Sequence, residues 1–143
     1  MTARIGKYLV AALVGGAGVI GLAGPSAAAD DMAMGKQLYT EACAVCHGAD
    51  GRGHGEFADE LKVPPSDLTK LLKDNGDVYP FVKVYHIIDG RSGTRGHGDS
   101  KMPIWGDVFS REATGGTQPF SAELLVRARM VALVDYIESI QEK

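Results

Sequence analysis

Cys43-Ala44-Val45-Cys46-His47 decides how the rest of this 143-residue chain is read. These are its only two cysteines, three positions apart, with a histidine directly after the second. The spacing is C-x-x-C-H, the attachment pattern for c-type haem. The chemistry asks for it: two thiols add to the two vinyl groups on one side of the porphyrin, and the adjacent imidazole reaches the iron from below the ring. A helix end with cysteines three apart delivers all three groups. Three other readings compete. A simple disulfide leaves His47 unexplained. A thioredoxin-type C-x-x-C follows a β-strand in a βαβ unit, whereas the preceding Met34 to Ala42 is helical in composition. A structural zinc needs one more ligand, and although His54, His86 and His97 are available, no second paired spacing appears.

Upstream of the motif, residues 1–29 read as an export signal. Arg4 and Lys7 form a basic start, Tyr8 to Gly24 is uncharged, Pro25 breaks the run, and Ala27-Ala28-Ala29 supplies the small residues read by a signal peptidase. Cleavage is expected before Asp30. The alternative is an uncleaved anchor, for which the uncharged run is short and glycine weakens the helix. In both cases the globular part, 30–143, is expected outside the cytoplasm, in a bacterial periplasm.

The leader also distorts the composition. The chain is 45% hydrophobic with net charge −3. The first 29 residues hold 18 of the hydrophobic class and no acid; the remaining 114 carry 13 basic and 18 acidic residues, net −5. That remainder is roughly 40% hydrophobic and suits one small domain. No second long apolar run exists, which excludes a polytopic membrane protein. An acidic chain does not bind nucleic acid through bulk positive charge. The acids are dispersed, so they form no acidic tail.

Downstream, four helices are expected. The first spans Asp31 to Cys43, with Asp30 or Asp31 as its cap. A short one spans Asp67 to Lys73, capped by Ser66 and stopped by Asn75-Gly76. A third begins near Asp77, tolerates Pro80 in its first turn and ends at Gly90, with Phe81, Val84, Tyr85 and Ile88 on one face. The last spans Ala122 to Gln141, capped by Ser121 and stapled by Phe120 and Leu125; Val126, Met130, Leu133, Ile137 and Ile140 form its apolar stripe. Arg91 to Asp99 and Gly106 to Gln118 read as loops. No segment reads as a strand.

Haem iron held by His47 needs a second axial ligand. Met102 is the leading candidate: it precedes a proline, which favours a fixed extended segment, and a thioether favours reduced iron. Among its competitors, Met32 and Met34 lie on the first helix and Met130 on a core stripe. His54 is too near His47 in sequence, and His86 points away from the apolar face of its helix. His97, on the same loop as Met102, is the closest rival.

With these residues in view, the chain resembles a class I, monohaem bacterial c-type cytochrome. The resemblance is carried by Cys43 to His47, Gly35 to Tyr39, Pro64-Pro65-Ser66-Asp67-Leu68-Thr69, Ile87 to Arg91, Met102-Pro103-Ile104-Trp105-Gly106 and Leu133 to Ile137. It implies an all-α cytochrome c fold of about four helices around one covalently attached haem. The first and last helices would cross closely at Gly35, with Tyr39 and Tyr136 packed at the crossing. A proline carbonyl, Pro64 or Pro65, would accept a hydrogen bond from His47; an axial imidazole needs such a partner in any case. Trp105 would lie near the haem edge or simply fill the core, and Arg91 and Arg95 would neutralise propionates or stand as solvated loop charges. Val108 to Gln118 departs from the smallest members as a long polar connection.

The expected function follows. With Cys43 and Cys46 attaching haem c and His47 and Met102 ligating its iron, no open coordination position remains for a substrate. The protein is expected to be a periplasmic electron-transfer protein and not an enzyme. Its partners would be redox proteins: a dehydrogenase or cytochrome complex as donor, an oxidase or another cytochrome as acceptor. No nucleic acid is involved, and a membrane only if the leader stays on. A dedicated haem c subunit of a periplasmic oxidoreductase is the alternative. Haem-based ligand binding or sensing through a labile Met102 is a third reading, of another class.

Overall fold

Apolar residues every three or four positions from Val126 to Ile137 dictate a helix with one buried face. The computed structural model, which describes residues 27–91, 102–114 and 119–143, places that face at the centre of the protein. In chain order the helices are α1 (Ala27–Ala42), α2 (Ala44–His47), α3 (Leu71–Asp74), α4 (Phe81–Asp89), α5 (Trp105–Ala113) and α6 (Pro119–Ser139). Short 3₁₀ turns cover Ala58–Glu60 and Leu68–Lys70, and there is no strand among the described residues. The fold is all-α. The described residues form six helices in place of about four: the two added are α2, a single turn, and α5, which was expected as loop.

Helix α6 packs against α1, α4 and α5. Val126, Met130, Leu133, Val134 and Ile137 are at most 1% exposed; each such side chain contributes about 1.5–3 kcal/mol on burial. The stripe therefore holds three helices at once. The α1–α6 crossing is close because Gly35 has no side chain: a Cβ there would run into the backbone carbonyl of Ala132 and stand 2.9 Å from Tyr136 Cβ. One turn further on, Tyr39 and Tyr136 meet with ring centroids 5.2 Å apart. This is the crossing the resemblance implies.

Several element boundaries differ from the sequence reading. The short second helix is capped by Asp67, not Ser66: the Asp67 carboxylate accepts from the Thr69 N–H at 3.0 Å. The third starts at Phe81, because Asp77 sits in the left-handed region at φ 62° and Pro80 takes the cap position. Helix α6 starts at Pro119, which suits the first turn where no N–H is needed, so Ser121 lies inside the helix. Phe120 is 82% exposed and forms no staple with Leu125. The Gly106 to Gln118 loop is largely helix: α5 buries Gly106, Phe109 and Ala113 on one face. No helix among the described residues is long and apolar enough to cross a membrane. Residues 1–26 of the expected leader, with Arg95, His97 and residues 115–118, lie outside the described residues.

Candidate functional site

Helix α1 delivers the motif. The Cys43 N–H donates to Tyr39 O at 2.8 Å, and Cys43 O in turn accepts from the Cys46 and His47 N–H groups at 3.1 and 2.9 Å. The helix thus breaks at Cys43 and restarts as α2, with His47 in its last turn. A helix end leaves carbonyls without intrahelical partners. Here the following segment folds back and supplies them: Gly48 donates to Ala44, Phe57 to Val45, Gly55 to Cys46 and Gly53 to His47, all between 2.7 and 3.0 Å. Gly48 O accepts from the Tyr39 hydroxyl at 2.6 Å. Every carbonyl from Cys43 to Gly48 is occupied, so the motif cannot unwind without breaking several bonds. Sequence reasoning missed this wrap, although the spacing of Gly48, Gly51, Gly53 and Gly55 signalled it.

His47 is 6% exposed, and its Nδ1 lies 3.0 Å from Ser66 O. A carbonyl only accepts, so Nδ1 carries the proton and donates. In the neutral ring Nε2 then holds the lone pair, the arrangement an iron-binding imidazole requires. The acceptor is Ser66, not Pro64 or Pro65. The proline carbonyl has another neighbour: Gly53, at φ 87°, packs so close that a Cβ would stand 2.5 Å from Pro65 O. The strap of residues 64–69 thus meets His47 one residue beyond Pro65.

The strap is itself gripped from the far end of the chain. The Gln141 side-chain amide donates to Leu68 O at 2.6 Å and to Ile137 O at 2.8 Å, and its oxygen accepts from Leu72 N–H at 2.9 Å. The Glu142 N–H donates to Thr69 O at 2.8 Å, while its carboxylate pairs with Arg52 at 2.7 Å. No sequence pattern marks Gln141 for this part.

Cys43 and Cys46 are unbonded to each other, Cys43 buried and Cys46 half-buried. Burial, with the neighbouring Cys46, pushes the Cys43 thiol up to about 12. Among the described residues no three His, Cys, Asp or Glu side chains are grouped to hold a metal ion, which leaves the zinc reading without a ligand set there. Two free thiols three apart and a buried, tautomer-fixed imidazole fit covalently held haem.

Met102 is half-buried and packs against the core cluster that contains Cys43. Of its competitors, His54 and His86 are exposed, Met32 is 38% exposed and Met130 is wholly buried in the α6 stripe. Trp105 is half-buried and packs on Phe109 with centroids 5.7 Å apart, as a core residue does. Arg91 is not a solvated loop charge: it pairs with Asp89 at 2.8 Å and Glu123 at 2.9 Å. Those carboxylates engage the guanidinium for which a propionate was the other reading.

An all-helical domain built around a wrapped C-x-x-C-H turn defines the class of covalent haem proteins. The comparison with known families makes it specific: the Cytochrome c family model matches residues 32–141. The chain belongs to the cytochrome c family, and with that membership come covalently bound haem, its iron and electron transfer. No curated protein and no solved structure matches the chain.

Proposed function

We propose that the protein is a periplasmic electron carrier with a single haem c, held by Cys43 and Cys46 and ligated by His47 and Met102. The observation that carries the reading is the His47–Ser66 bond, because it fixes the tautomer and ring orientation of an axial ligand. The haem supplies a one-electron ferric/ferrous couple. The chain's own residues would hold it: the Cys43 and Cys46 thiols would tether it, His47 would ligate from a helix end whose carbonyls are all engaged, and Met102 would supply the second ligand. With His47 and Met102 both bound to the iron no place would be left for substrate, which supports a carrier over an enzyme. The leader pattern at residues 1–29 supports export to the periplasm, where redox proteins would act as donor and acceptor.

The test is a spectrum and redox titration of the exported holoprotein, with an intact mass. One haem per chain, a sulfur-to-iron charge-transfer band in the ferric form and loss of that band in Met102→Ala are expected. High-spin ferric iron without the band would overturn His/Met ligation. A mature N-terminus other than Asp30 would overturn the cleavage site.

A further inference from the structure

Met102 stands just ahead of Ile104-Trp105-Gly106, and what holds those residues controls how firmly it is presented. The end of α4 holds them. Gly90 caps that helix in the left-handed region at φ 65°, and a Cβ there would meet Ile104 Cγ2 at 3.1 Å. Gly106 lies directly over the Asp89–Arg91 pair: a Cβ would stand 2.5 Å from Arg91 Nε and 2.7 Å from Asp89 O, and would strike the Asp89 carboxylate.

The ion pair is built, not incidental. Asp89 is only 6% exposed, and a buried carboxylate is tolerated only when paired. Arg91 donates to it through Nε at 2.8 Å, and Nη2 stands 2.8 Å from the same carboxylate oxygen. Its remaining donors reach Glu123 on α6 at 2.9 and 3.4 Å and Ser110 on α5 at 3.4 Å. One guanidinium therefore ties three helices together. It does so where the chain leaves α4 and beside the point to which it returns after Met102.

We propose that Asp89 and Arg91 are positioning residues for Met102, fixing Ile104 to Gly106 against the end of α4 so that the thioether stays on its ligand. The inference rests on Met102 being the sixth ligand. A buried ion pair adds little net stability compared with apolar packing; its use here is to fix one arrangement. A looser clasp raises the fraction of molecules in which Met102 is off. An added ligand for the vacated position then binds more tightly by the same factor.

The experiment titrates ferric holoprotein with imidazole, in wild type and in Asp89→Asn, Glu123→Gln and Met102→Ala. It follows the sulfur-to-iron band, and records reduction potential and helix content on the same samples. Asp89→Asn is expected to bind imidazole about tenfold more tightly than wild type, at a lower potential and with helix content unchanged. Glu123→Gln is expected to move the same readouts less, because Arg91 keeps Asp89. Wild-type imidazole affinity and potential in both variants, with the band lost only in Met102→Ala, would overturn the positioning role and leave Met102 as ligand. A wild type without the band, unaltered by Met102→Ala, would remove the ligand assignment and the positioning role with it. If Asp89→Asn does not fold, Glu123→Gln decides alone, since it touches only a partly exposed contact.

Discussion

The Tyr39 hydroxyl donates a 2.6 Å hydrogen bond to the carbonyl oxygen of Gly48, joining the last turn of α1 to the residue that follows His47. Tyr39 is 1% exposed, and burial raises the energy of its ionised form, so it stays a neutral donor. The bond spans the haem motif from one side to the other. Tyr39→Phe keeps the packing against Tyr136 and leaves a buried carbonyl short of one donor. The expected loss is about 1–2 kcal/mol, measured by denaturant unfolding of the holoprotein. Unchanged stability would mean that water or Gly51 N–H satisfies Gly48 O alone.

Gly35→Ala tests the helix crossing. Alanine is favoured over glycine in a helix by about 1 kcal/mol. The new methyl group would collide with Ala132 backbone and Tyr136 Cβ, and overpacking of this kind costs about 1–3 kcal/mol or more. Backbone cannot rotate out of the way, so the clash should win. A net destabilisation is expected in thermal unfolding, with weakened coupling between Tyr39 and Tyr136 in the near-ultraviolet dichroism. A net gain in stability would show that α1 and α6 separate at little cost.

Gln141→Ala removes three hydrogen bonds that join the C-terminal segment to Leu68, Leu72 and Ile137. A loss of about 2 kcal/mol is expected. Gln141→Glu keeps the size and one acceptor but sets a carboxylate oxygen against the Leu68 and Ile137 carbonyls, and should lose at least as much. Equal stability of all three proteins would rule out the grip on the strap.

Asp67 gives a pH dependence of known sign. Its carboxylate is held at about 2, well below the usual range, chiefly by the Thr69 hydroxyl and then by the Thr69 N–H and Lys70. The folded value lies below the unfolded one, so the ionised form favours folding. That contribution is complete above about pH 4 and disappears as the pH falls towards about 2. Asp67→Asn should therefore flatten the fall in stability across this window, read from urea unfolding at stepped pH. A parallel curve for the variant would refute the assignment.

The haem motif and the α6 stripe were legible because each is a local pattern: one a spacing of three residue types, the other a 3.6-residue period. The crossing of Gly35 with Tyr136 was reached through resemblance. Helix α5 was missed although Trp105, Phe109 and Ala113 recur every four residues. Glycine and polar residues dominate 106–118 and read as loop, yet Gly106 is small so that α4 can approach, and Ser110 donates back to Gly106 O at 2.7 Å within the helix. The Ser66 acceptor was off by one because every residue carries a carbonyl, and nothing in a side chain distinguishes the one that accepts. Gln141 and the Arg91–Glu123 pair join positions 73 and 32 residues apart, beyond the reach of local periodicity.

The Gly35–Ala132 contact closes a stretch of nearly 100 residues, at a chain-entropy cost of about 4 kcal/mol. Such distant contacts are characteristically slow to form. Tyr39 on α1 and Gln141 beyond α6 sit at the two ends of that stretch, and both support the segments around His47. The support around His47 is therefore completed by the same closure that brings the two ends of the domain together. The turn that carries His47 and the tertiary fold thus depend on one and the same long-range closure.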